Sequence, residues 1–153
     1  MTFRKRKGMT TLFIGLYLLG IHGSAQNLDS LENVLIGNGL SSEEYLTVCD
    51  DLSWNYLDDN FEKSKKYAVR GIERARSDQN LLMEARLYRN LGVAYYMNSQ
   101  MDTAQLYLNR SLEKAILLKD EQLEAAVYGA IGNVHNVSGN YQEALTYYLK
   151  ALP

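Results

Sequence analysis

Two landmarks in this chain recur at one interval. Gly92 is followed by Gly132, and Ala104 by Ala144 at the identical spacing. Around each, apolar residues fall at helical spacing. Tyr88, Leu91, Gly92 and Tyr95 occupy i, i+3, i+4 and i+7; Ala104, Leu108, Ser111, Leu112 and Ala115 occupy i, i+4, i+7, i+8 and i+11. Neither stripe alternates with the two-residue period of a strand. A helix pair of this kind cannot bury its own apolar face, so it needs neighbours. The spacing therefore predicts an all-α array of helix pairs, centred on residues 85–118.

The rest of the chain fits that frame. Residues 26–40 carry Leu28, Leu31, Val34 and Leu35, a short amphipathic helix stopped by Gly37 and Gly39 and suited to cover the first pair. Ser41 and Glu44 match a capping box. A helix over 45–57 then turns Leu46, Cys49, Leu52, Ser53 and Tyr56 inward. Its partner, from about Phe61 to Arg76, presents Ser64, Ala68, Gly71 and Ile72. A third pair covers 123–137, with Ala125, Tyr128, Ile131, Gly132 and His135 on one stripe, and 141–152. The first pair shares the 40-residue frame if its inter-helix turn is one residue shorter. The only proline is Pro153, which agrees with a helical body.

The N-terminus reads differently. Arg4 to Lys7 is a basic run, Met9 to Ile21 an apolar stretch, and Gly23-Ser24-Ala25 a small-residue cleavage signal. Thirteen apolar-core residues fall short of the ~20 needed to span a bilayer. Residues 1–25 are thus expected to be a signal peptide, which makes the mature protein exported, periplasmic or extracellular. An uncleaved anchor helix or a buried helix is the competing reading. Removing the segment's four basic residues from sixteen leaves twelve against eighteen acidic ones, a formal −6. That balance opposes nucleic-acid binding, which needs clustered cations on phosphates. The single cysteine, Cys49, cannot form an internal disulfide and sits on an apolar stripe as a small buried residue.

The residues above carry a resemblance. The third unit, with Tyr128, Ile131, Gly132, His135, Tyr141, Ala144, Tyr147, Tyr148, Ala151 and Leu152, resembles the tetratricopeptide repeat family. The second carries Tyr88, Leu91, Gly92, Tyr95, Ala104, Leu108, Ser111 and Leu112 at the family's signature positions, and the first is degenerate. The resemblance implies a right-handed helical solenoid of about three repeats, near 41–78, 79–119 and 120–153, the last incomplete. The 40-residue period exceeds the family's usual ~34. It also implies a non-catalytic scaffold that binds a protein or peptide on its concave face, with no cofactor and no membrane contact by the mature repeats. A looser likeness, to exported N-terminal repeat regions of bacterial sensor proteins, implies the input segment of a longer histidine kinase, cyclase or transcriptional regulator. A third reading is structural self-association through an open C-terminal end.

Carried onto this chain, the concave positions that bind peptide are Asp50, Trp54, Arg86, Arg89, Tyr96, Asn133 and Asn136. Arg86 and Arg89, one helical turn apart, suit a carboxylate or phosphate, although a solvated helix face would also contain them. Trp54 with Tyr96 would make an aromatic anchor, or simply pack. Of the positions that grip acidic C-terminal tails in some family members only Asn90 matches, so that ligand is not expected. No catalytic site is expected. His135 is the only histidine beyond residue 25 and has no second metal ligand at suitable spacing. One histidine and one buried cysteine make no nucleophile–base pair. Gly129 to Gly132 lacks the lysine and hydroxyl of a phosphate loop.

Overall fold

Helix starts set the geometry, and at four of them a side chain at the N-cap fixes the start. Ser41 accepts the Glu44 amide at 3.2 Å while Glu44 accepts the Ser41 amide at 2.8 Å, a complete capping box. Asn60, Asn80 and Asp120 each accept the amide three residues on at 3.0 Å. The computed structural model describes residues 25–152 apart from Asn38, with side chains from Leu28 onward. The expected signal segment therefore lies outside the described residues except for Ala25. Among them run seven helices and no strand: α1 (Ala25–Ile36), α2 (Ser42–Asn55), α3 (Phe61–Ser77), α4 (Leu81–Met97), α5 (Met101–Leu118), α6 (Glu121–Val137) and α7 (Tyr141–Lys150). The protein is all-α over this span.

From α3 onward the helix starts fall on an even beat, at Phe61, Leu81, Met101, Glu121 and Tyr141. The turns explain it. Gln79, Ser99, Lys119 and Gly139 all adopt positive φ, at 55°, 59°, 55° and 80°. The following amide reaches five residues back: Asn80 to Ala75 O at 2.8 Å, Gln100 to Tyr95 O at 2.9 Å, Asp120 to Ala115 O at 3.1 Å and Asn140 to His135 O at 2.9 Å. This closure satisfies carbonyls that a helix end leaves open and reverses the chain in two or three residues. The connection after α2 is different. It spans residues 56–60 without a left-handed residue, and Asn60 N donates to Tyr56 O at 3.0 Å.

Each helix packs on its neighbour in sequence, and α2, α4 and α6 also touch in turn. Close approach falls at the small residues. A Cβ on Gly92 would lie 2.7 Å from Leu108 Cγ, one on Gly132 2.6 Å from the Tyr148 ring, and one on Gly71 2.7 Å from Leu87 Cδ1. In the first pair Ser64 Oγ donates to the Ser53 carbonyl at 2.7 Å, a polar version of the same crossing. Two apolar cores result. One gathers Leu31, Leu46, Leu52, Ala68, Leu87 and Leu91; the other gathers Ala104, Leu108, Leu123, Val127 and Ile131, and Tyr95 packs against both.

Helix α6 departs from its expected stripe. Leu123, Val127, Ile131 and Val134 are buried, whereas Ala125, Tyr128 and His135 are only partly so. The expected stripe faces the short α7, which covers it incompletely; the apolar face beside it points into the second core. The tyrosines form columns between the helices. Tyr107 stacks between Tyr95 (5.4 Å) and Tyr88 (6.0 Å), and further along the chain Tyr147 sits between His135 (5.2 Å) and Tyr128 (6.2 Å). His135 thus occupies an aromatic slot.

Candidate functional site

The seam between α2 and α4 concentrates the polar chemistry. Asp50 is only 6% exposed, and Asn90 and Ser53 are fully buried beside it. Asn90 Nδ2 donates to Asp50 Oδ1 at 2.8 Å and to Ser53 Oγ at 2.9 Å, and Ser53 Oγ donates to the Asp50 carbonyl at 2.9 Å. Arg86 caps the other carboxylate oxygen at 2.6 Å, reaching in from a half-exposed position. A buried carboxylate is tolerated only with such paired and hydrogen-bonded surroundings. The helix pitch makes this possible, because Arg86 and Asn90 lie one turn apart on α4 and straddle Asp50.

Arg89 completes the cluster from the next position on α4. Its guanidinium donates to Asn90 Oδ1 at 3.1 Å and lies 5.0 Å from the Trp54 ring centroid. Trp54 itself is 48% exposed, a large indole left open to solvent. Among the described residues no carboxylate pairs with Arg89. Burial pulls its pKa down; Asp50 partly offsets this, and neighbouring Arg86 adds to the lowering. The seam thus holds two guanidiniums against one carboxylate. Below it, between the first turns of α2 and α4, lies a depression of about 450 Å³ lined by Glu43, Leu46, Thr47, Asp78, Leu82 and Arg86. Its lining mixes apolar and polar side chains, and Arg86, the partner of Asp50, is one of them.

Of the seven positions named from sequence, the structure brings four together: Asp50, Trp54, Arg86 and Arg89. The other three lie apart. Tyr96 is half-buried against the second core and makes no ring contact with Trp54 among the described aromatic pairs, where the sequence suggested a shared anchor. Trp54 pairs with Arg89 instead. Asn133 is exposed and accepts the Tyr148 hydroxyl at 2.8 Å, and Asn136 is exposed at the end of α6. Sequence reasoning missed Asn90 as the organising residue. The sequence signal was partial: α2 starts at Ser42 and α4 at Leu81, so Asp50 matches Arg89 in the frame and Asn90 falls one position beyond that match.

Cys49 is buried beneath α2, and burial pushes its thiol up to about 11, which keeps it in the unreactive thiol form at neutral pH. Neither a family model nor a curated protein matches this chain.

Proposed function

We propose that this protein is a non-catalytic scaffold of the tetratricopeptide type, an exported right-handed solenoid of about three repeats, that binds a peptide or protein partner along the row formed by α2, α4 and α6. The regular helix starts and the matched crossings at Gly92–Leu108 and Gly132–Tyr148 support the repeat reading. One observation carries the binding reading: Arg89 is half-buried, stacked on an exposed indole, and without a carboxylate of its own. A guanidinium held in this way is pre-organised for a carboxylate, and Trp54 offers an apolar shelf beside it. The depression at Glu43 and Leu82 extends the contact by several side chains of an extended ligand. Arg86, committed to Asp50, positions the seam rather than greeting the ligand.

The test is a displayed random-peptide library selected on the immobilised protein. Enriched peptides are expected to carry an acidic group next to an apolar side chain, and to bind Arg89→Gln or Trp54→Ala about tenfold more weakly, the loss of one charge-assisted contact. Helix content by circular dichroism should stay unchanged. Peptides that bind both variants as tightly as the parent would remove this seam from consideration.

A further inference from the structure

A second cationic cluster stands on another surface, where α3, α4 and α5 meet, and it is independent of the α2–α4 seam. Tyr88 is its centre, a buried ring approached by three cations: the Arg76 guanidinium at 5.5 Å from the centroid, Arg110 at 5.7 Å and Lys114 at 5.9 Å. Arg110 is also 5.5 Å from the Tyr107 ring, which stacks on Tyr88. Among the described residues the one carboxylate paired with these cations is Glu84, itself buried. Its two oxygens are taken separately, by Arg76 Nε at 2.8 Å and Lys114 Nζ at 3.1 Å. Arg76 also donates to the Tyr88 hydroxyl. Arg110 pairs with no carboxylate among the described residues.

Three positive charges converge on one ring against one negative charge, leaving two uncompensated. Aromatic faces offset part of the repulsion, but a ring supplies no formal charge. The cluster is also anchored. Lys114 is only 25% exposed, and Glu84 and Tyr88 hold Arg76, so two of the three cations are fixed before any ligand arrives. Arg110 and the outer part of Arg76 stay open to solvent.

We propose that Arg76, Arg110 and Lys114 form a seat for a phosphate monoester group. A phosphate monoester carries about −1.5 to −2 at neutral pH, which matches the uncompensated charge, and offers three acceptor oxygens to the two guanidiniums and the ammonium. Because Arg110 and the outer part of Arg76 are exposed, the seat can be reached by the phosphate of a phosphorylated side chain or by free phosphate, which offers the same oxygens.

The full chain, labelled with nitrogen-15, is titrated at constant ionic strength with inorganic phosphate, with a phosphoserine tetrapeptide, and with the same peptide unphosphorylated. Arginine Nε–H resonances of Arg76 and Arg110 are followed. Saturable shifts with the two phosphate-bearing probes, absent with chloride and with the unphosphorylated peptide, are expected. Arg110→Gln should weaken the affinity about tenfold, while Arg110→Lys, which keeps the charge, should stay within a few-fold of the parent. Lys66→Gln, an equal charge loss away from the cluster, should leave it unchanged. Tighter binding of the phosphopeptide assigns the seat to a phosphorylated partner, and equal binding assigns it to free phosphate. Equal shifts with chloride, or an Arg110→Gln protein that binds as the parent does, would overturn the proposal.

Discussion

Gly92 and Gly129 sit in the interiors of the touching helices α4 and α6, yet alanine should have opposite effects at the two. At Gly92 the new methyl would meet Leu108 at its side chain and, at 3.1 Å, at its backbone nitrogen. Backbone cannot step aside as a flexible side chain can. Overpacking of this kind costs about 1–3 kcal/mol, more than the ~1 kcal/mol helix-propensity gain. At Gly129 nothing lies within 4 Å, so only the propensity gain remains, about 0.5–1 kcal/mol. Gly92→Ala should therefore lower the thermal midpoint and Gly129→Ala raise it; a rise in both would mean the α4–α5 crossing is looser than the distances say. Sequence alone separates these two glycines only through the repeat echo, which includes Gly92 and omits Gly129. The burial of Asp50 is harder to read. A charged residue on a helix face reads as solvated until Asn90 and Arg86 are seen to close over it.

At the scale of the element, α1 is the clearest case of a helix held by chemistry outside itself. Leu31 and Leu35 bury its apolar side, and Glu32 fastens the polar one. Glu32 accepts from Tyr56 Oη at 2.8 Å and pairs with Lys63 at 2.9 Å. Burial pushes the Glu32 carboxyl up, but hydrogen bonds from Lys63, Tyr56 and Tyr67 together outweigh it, so its pKa falls below the ordinary 4.5. Tyr67, buried and facing that carboxylate, is pushed up to about 12. A depressed folded-state pKa contributes stability above the unfolded value, and that contribution disappears as pH falls through the folded one. The parent should therefore be more stable than Glu32→Gln at pH 6–7, and the difference should vanish as the pH drops below about 4.5. Paired thermal melts across pH 3–7 measure it, and a pH-independent difference would rule out the carboxylate as the fastener. The helix itself was legible from its leucines, and so was its glycine stop. The even beat of the later helices was not. Three of its four left-handed turn residues are Gln79, Ser99 and Lys119, none of them the glycine or asparagine that favours a left-handed backbone.

For the whole molecule, two cores share α4 and meet at Tyr95. On the proposed repeat reading, the stability of the array is a sum of neighbour terms rather than one indivisible quantity. Its two ends can then separate in unfolding. The only tryptophan, Trp54, reports on α2 and its seam with α4, while far-ultraviolet circular dichroism reports on every helix. Ile131→Ala empties part of the second core at a cost of about 2–5 kcal/mol. In that variant helix content should fall at a lower temperature than the Trp54 signal changes, and coincident transitions would mean that α4 welds the two cores into one cooperative unit.

The recurring turn has a consequence for how such a chain can change its length. Every helix from α4 to α7 enters by the same step, and the four turns from α3 to α7 share one left-handed reversal. Duplicating or excising one helix pair with its two turns would splice one reversal onto another and leave the backbone path continuous. The polar seam is not copied so freely. Asp50 faces Asn90, but the matching position on α6 is Ala130. Shuffling units would keep the frame and break the Asp50–Asn90 lock. That makes the α2–α4 junction a fixed point, around which the rest of the array is free to lengthen or shorten.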